Sequence, residues 1–176
     1  MPEFRKERAG DAVQAVRWEE GAVAILDQRR LPGAEEYLRL RTVAAVEDAI
    51  RNMAVRGAPA IGIAAAYGVV LAARENFERH REKWRRGMAA ALESLAASRP
   101  TAVNLRWAVS RMQAAFAGID GNPENTLLAE AQRIHDEDIA ANLRIGDLGA
   151  ALLAAAAGDG RPPGNPSRGS GGRPSP

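Results

Sequence analysis

The spacing of apolar positions changes character once along this chain, near residue 40. Before that point Val13 to Trp18 alternates, Glu19-Glu20-Gly21 offers a turn, and Ala22 to Leu26 is a short apolar run, which together predict a small β-hairpin. Asp27 to Gly33 then breaks the ladder, because Pro32 cannot donate to it and Gly33 follows directly, so a loop or edge segment is expected there. From Thr42 the period becomes helical. Thr42 is a candidate N-cap, Val43, Val46, Ile50 and Met53 share a face, and the helix should end near Val55. Pro59 suits the first position of a second helix, in which Ala60 to Ala73 is apolar nearly all round and should be buried on every side. Glu75 to Ala97 reads as a charged surface helix. After a break at Ser98-Arg99-Pro100-Thr101, a further helix carries Leu105, Val109, Met112 and Phe116 on one stripe and ends between Gly118 and Gly121. Asn122-Pro123 starts the last helix, along which Leu128, Ala131, His135, Ile139 and Leu143 recur.

The fold class that follows is mainly α, with a small N-terminal β-hairpin or three-stranded sheet (residues 1–40) and a bundle of about five helices (41–157). Composition agrees: the chain is 46% hydrophobic but only 5% aromatic, so its core must be built from Ala, Leu, Ile and Val. Residues 158–176 are different. Fourteen of these 19 are Gly, Pro or Ser and none is a large hydrophobe, so a disordered tail is expected. Two origins fit it: a flexible tail, or a shift of reading frame in GC-rich DNA, for which the usage of 22 Arg against 2 Lys speaks.

The net charge of +2 resides in that tail, which holds three arginines and one aspartate. The remaining residues balance, so neither nucleic acid nor an anionic membrane surface is an expected partner. With no cysteine and two distant histidines, His80 and His135, disulfides, thiolate sites and a metal centre are not expected. The opening MPEFRKERAG lacks an apolar leader core, and no run approaches the ~18 apolar residues of a membrane span; a soluble cytoplasmic protein is expected.

Two segments carry candidate chemistry. Val55-Arg56-Gly57-Ala58-Pro59-Ala60-Ile61-Gly62 is a tight break feeding a buried helix. Unpaired amides and the positive end of the helix dipole favour an anion there, Gly57 permits close backbone approach, and the planar fork of Arg56 suits phosphate oxygens. A plain interhelical turn with a surface arginine fits the same pattern. Ser98-Arg99-Pro100-Thr101-Ala102-Val103-Asn104-Leu105 repeats the arrangement, with Arg99 just before a helix beginning at Pro100, and an ordinary proline-led helix entry again fits as well. The two arginines would serve one phosphorylated ligand only if they converge. His80 and His135 read as solvated or packed, and Glu137 and Asp138 as a polar helix face.

Taken in order, Ile25-Leu26-Asp27-Gln28 with Leu31-Pro32, VRGAPAIG (55–62), SRPTAVNL (98–105), and Asn142 with Ile145-Gly146 and Gly149-Ala150 resemble the methylthioribose-1-phosphate isomerase family. VRGAPAIG and SRPTAVNL alone also resemble ribose-1,5-bisphosphate isomerases and the regulatory alpha, beta and delta subunits of translation initiation factor 2B, and the LDQ-x-x-LP segment favours the methylthioribose enzymes. The resemblance implies a cofactor-free, metal-free aldose to ketose isomerisation of 5-methylthioribose 1-phosphate in methionine salvage, by a cytoplasmic homodimer. It places Arg56, Gly57, Ala58 and Arg99 at substrate-binding positions. The family's catalytic cysteine follows shortly after the segment ending here at Ala157, and its catalytic aspartate and α/β C-terminal domain lie beyond it. None is present in this sequence, so the expectation is a truncated chain, inactive alone. Its apolar surface along Ala60 to Ala73 and the last helix should be exposed, and Asp27, Glu137 and Asp138 are the acid/base candidates that remain. A non-catalytic regulatory or scaffold subunit of the initiation factor type is the alternative.

Overall fold

The computed structural model describes residues 13–158; the opening decapeptide and residues 159–176 of the predicted tail lie outside the described residues. Three short strands form an antiparallel sheet in the order β1-β2-β3: β1 (Val16–Glu19), β2 (Ala22–Leu26) and β3 (Tyr37–Leu40). Glu20 and Gly21, at φ 48 and φ 72, make the two-residue turn that joins β1 to β2, and both positive dihedrals match the twist of a tight hairpin. The central strand is buried along its whole length, as a continuous apolar run should be. It pairs Val16 with Ile25 on one side and Val23 with Leu40 on the other. The segment after β2 includes a cis Leu31-Pro32 bond.

Among the described residues five helices follow: α1 (Val43–Arg51), α2 (Ala58–His80), α3 (Arg85–Ala97), α4 (Val103–Ala114) and α5 (Glu124–Gly158), with a 3-10 turn, Arg81–Lys83, between α2 and α3. Thr42 caps α1 as expected, its Oγ1 accepting from the Ala45 amide at 3.2 Å. That helix ends at Asn52, before Val55. Met53, assigned to its buried stripe, lies beyond the end at φ 56 with its side chain half exposed, and Ala54 and Val55 take the interior positions instead.

Helix α2 is the spine of the unit formed by residues up to Asp138, packing against α1, α3, α4, β1 and β2. Residues 61 to 73 are all buried, which corrects the expectation that Ala60 to Ala73 would present apolar surface. Such closeness requires small residues on the contact lines. A Cβ on Gly62 would lie 3.1 Å from the Asn104 carbonyl oxygen, and one on Gly68 3.1 Å from Val46. The helix also runs to His80, through the break expected near Glu75. Its polar last turns keep Asn76 inward, donating to the Ala72 carbonyl at 2.8 Å. The chain reverses instead at Arg81 (φ 49), and the charged stretch expected to be one surface helix carries the fully buried Trp84, edge-on to Phe116 at 5.2 Å.

Trp18 of β1 stacks on Tyr67 at 5.5 Å, docking the sheet onto α2. Arg74 strengthens the joint by donating to the carbonyls of Gly21 (2.8 Å) and Arg41 (3.2 Å) and pairing with Glu124 (3.3 Å). Asn122 caps α5 by accepting from the Glu124 amide at 3.0 Å. Ala131 of α5 is inward as expected; the fully buried residues beside it are Leu127 and Ile134, each one position before the half-buried Leu128 and His135, and Ile139 and Leu143 are exposed. Residues from Ile139 onward form a second unit, helical to Gly158, in which Ile145, Leu148, Leu152 and Leu153 are exposed. Two stretches, Ala58–Lys83 and Glu124–Ala156, are long and apolar enough to cross a bilayer by length and composition, against the sequence expectation. The most apolar 18 residues of the first are 72% buried inside the fold, the pattern of a core helix, and those of the second are not buried.

Candidate functional site

The α2 start is built by Gly57, whose φ of 92 and ψ of 135 turn the chain directly into the helix. Gly57 makes no side-chain cap, and the first intrahelical bond runs from the Ile61 amide to the Gly57 carbonyl at 3.0 Å. The amides of Ala58 and Ala60 therefore have no intrahelical acceptor, and Pro59 has no amide to leave unpaired. These are the features of an anion seat. Arg56 is exposed beside it, and its Nη2 donates to the Gln28 carbonyl at 2.5 Å. Gln28 answers with its amide on the Ala54 carbonyl (2.9 Å) and its Nε2 on the Arg56 carbonyl (3.4 Å). The LDQ and VRGAP segments, 28 residues apart, are thus one bonded substructure.

The second arginine segment differs from its expected geometry. Helix α4 begins at Val103, not Pro100; Ala102 is its N-cap, without a side-chain cap bond. Pro100 falls in the turn before it, where the Ala102 amide bonds the Arg99 carbonyl at 3.0 Å. Ser98 closes the preceding helix by donating to the Leu95 carbonyl at 2.6 Å. Arg99 is half-buried, and its guanidinium makes no ion pair among the described residues.

The two helix starts meet. Gly62, in the second turn of α2, abuts Asn104, the second residue of α4, and the first turns of both helices line one cleft of about 410 Å³. Pro59, Ile63, Val103, Trp107 and Ile134 give it an apolar wall; Asn104, Glu137 and Asp138 supply polar groups. Arg56, Gly57, Ala58 and Arg99 adjoin these turns in sequence without lining the cleft. Trp107, half exposed on α4, and Ile63 had no sequence signal beyond their size and position. Glu137 is not a free acid: Arg111 holds it with two bonds, at 2.5 and 2.8 Å, and reaches Glu130 at 2.7 Å. The Arg111 guanidinium accordingly keeps the Glu137 carboxyl below the usual carboxylate range.

His80 ends α2, exposed to solvent. His135 packs against Tyr67, their Nδ1 and hydroxyl 3.1 Å apart. Burial lowers the His135 pKa against the opposing pull of Asp136 and Asp138, and burial with the Asp136 charge pushes Tyr67 up to about 12. Among the described residues no group of three or more His, Cys, Asp or Glu could hold a metal ion.

Comparison with known proteins places this geometry. The chain is 55% identical over 145 residues to the methylthioribose-1-phosphate isomerase of Methylococcus capsulatus, covering 82% of this chain and 41% of that protein. It is 52% identical over 150 residues to that of Nitrosococcus oceani, covering 84% and 43%. The crystal structure of 5-methylthioribose 1-phosphate isomerase from Pyrococcus horikoshii superposes with a TM-score of 0.74 at 38% identity, over 81% of this chain and 41% of that one. The delta subunit of translation initiation factor eIF-2B from A. fulgidus superposes with a TM-score of 0.68 at 35% identity, over 73% and 38%. The chain therefore spans about two fifths of the length of these relatives. Residues 54–159, which contain both arginine segments and the cleft between them, match the Initiation factor 2 subunit family, and the chain belongs to that family.

Proposed function

We propose that this chain is the phosphate-holding portion of a methylthioribose-1-phosphate isomerase. The observation that carries the reading is the set of relatives of that name at 46–55% identity, whose alignments cover more than four fifths of the chain. In this reading the sugar phosphate sits at the α2 start, on the Gly57 and Ala58 backbone with Arg56 beside it, and Arg99 approaches from the turn before α4. The apolar wall of Ile63, Val103 and Trp107 suits a thioether better than a second phosphate, which favours the methylthio sugar over a bisphosphate. The enzyme works in the cytoplasm as a homodimer and needs no metal or organic cofactor.

A phosphate on the anomeric carbon blocks ring opening to a free aldehyde, so the isomerisation requires a positioned acid/base to move hydrogen between C1 and C2. This chain's share is binding and orientation. Asp27 is tied to Arg29 and Glu137 to Arg111, and each carboxyl is held below its ordinary pKa, which makes both poor proton acceptors at neutral pH. Cysteine is absent from the sequence.

The test is a chimera in which residues 1–157 replace the matching segment of the Methylococcus capsulatus relative, assayed on methylthioribose 1-phosphate. Turnover that collapses on Arg56→Ala or Arg99→Ala supports the reading. A folded chimera without turnover removes it and favours a non-catalytic subunit, the second reading, to which the likeness to the eIF-2B delta subunit lends weight. Turnover by the 176-residue chain alone would instead refute its confinement to binding.

A further inference from the structure

Asp27 is a buried carboxylate, 4% exposed, at the end of β2, and the binding scheme above does not use it. Burying a charge is expensive unless it is paired and hydrogen-bonded, and a simple surface turn has no need of one. Here the charge is fully engaged. Arg29 closes a fork on it, Nε to Oδ1 at 2.7 Å and Nη2 to Oδ2 at 2.6 Å, and the Arg29 amide adds a bond to Oδ1 at 3.1 Å. The Asp27 backbone is fixed on both sides as well, its amide on the Glu36 carbonyl at 2.8 Å and its carbonyl under the Arg30 amide at 3.0 Å.

The residue this bracket immobilises is Gln28, which touches the anion seat through three bonds. Its amide holds Ala54, its carbonyl holds the Arg56 guanidinium, and its side chain reaches the Arg56 carbonyl. Without such a partner an exposed arginine samples many rotamers, and binding an anion would have to order it. With Nη2 tied to a main-chain carbonyl that cannot itself swing, that ordering is done before the ligand arrives. The guanidinium keeps Nε and Nη1 without a hydrogen bond among the described residues.

We infer that Asp27 and Gln28 are positioning residues for the phosphate arginine: the Asp27–Arg29 fork fixes the turn, and the turn presents the Gln28 carbonyl that pre-orients Arg56. The inference rests on the reading of the α2 start as a phosphate seat.

The experiment uses the 176-residue chain and inorganic phosphate, with affinity followed by nuclear magnetic resonance titration and the Arg56 side chain observed through its guanidinium nitrogens. In the wild type, rotation of the Arg56 Nη2 group should be slowed by its carbonyl partner. Asp27→Asn, which keeps the shape and removes the charge, should weaken phosphate about fivefold, and Arg29→Lys, which keeps a cation beside Asp27 but cannot close the fork, about threefold, with faster Nη2 rotation in both. A residue of merely structural importance would lower the melting temperature without changing those nitrogen signals. Arg56→Ala separates the two levels of the argument. If it loses phosphate while Asp27→Asn and Arg29→Lys bind like the wild type, the positioning role is refuted and the phosphate seat stands. If Arg56→Ala binds as tightly as the wild type, the phosphate seat itself is refuted. Should Asp27→Asn fail to fold, Arg29→Lys, whose altered side chain lies at the exposed surface, decides alone.

Discussion

Gly57→Ala isolates backbone conformation from crowding. At φ 92 and ψ 135 the residue lies outside the regions L-amino acids favour, while an added Cβ would meet no atom within 4 Å. Any effect must therefore come from the dihedral. Holding alanine there should cost about 1–3 kcal/mol, and for a domain of this size about 2 kcal/mol lowers Tm by about 4–8 °C. Gly118 is the control: it has φ 73, equally open surroundings and a position past the end of α4, so alanine there should cost about 1–2 kcal/mol. Both variants should melt earlier, but only Gly57→Ala should lose phosphate, because relaxing its dihedral re-aims the Ala58 amide. Thermal melts followed by circular dichroism, with and without inorganic phosphate, read both quantities. A Gly57→Ala chain that melts with the wild type and retains the phosphate-induced shift would refute the requirement for glycine and the seat built on it.

Other outcomes follow from packing and titration. Gly87→Ala would put a Cβ 1.8 Å from the Oδ1 of buried Asn76, so it should destabilise by about 1–3 kcal/mol, and Asn76→Ala in that background should recover part of the loss in a denaturant melt. The depressed pKa of His135 means its contribution is present above about pH 6.5 and is lost as pH falls through the folded value. Tm should drop between pH 7.5 and 5.5, and His135→Gln should flatten that slope. The Arg29 guanidinium likewise holds the Asp27 carboxyl low, so its stabilisation is present above about pH 3.9 and lost as acid protonates it; Asp27→Asn should shallow the acid limb of a stability profile taken from pH 5 to 2.5.

Local signals carried well from sequence to structure. Thr42 as a cap, the turn before Ala22, the all-round apolar run from Ala60 and the Asn122-Pro123 helix start each depend on a few adjacent residues, and each is where the chain placed it. Phase and continuity were harder. In an alanine-rich helix the stripes through Ile134 and His135 differ by one residue, and only the facing side chains choose between them. Trp84 sits among Lys83, Arg85 and Arg86, so its neighbours in sequence argued for solvent while its partner Phe116 lies 32 positions away. The arginine loops were visible as motifs. What the sequence could not reveal was that Gln28 bonds to the Arg56 loop, or that the turns after Gly57 and Ala102 open on one cleft, because both are facts of tertiary contact.

The position of α2 has a consequence for how the fold comes apart. Because this helix touches the sheet and three other helices, no neighbour can leave without baring part of it, and the opening of its backbone amides in residues 61–73 is coupled to loss of the whole unit. Those amides should be the slowest in the protein to exchange their hydrogens with solvent, at a rate set by global stability. The seat at Gly57 then lies at the edge of the most persistent element in the chain, so thermal agitation that frays peripheral turns leaves its base in place.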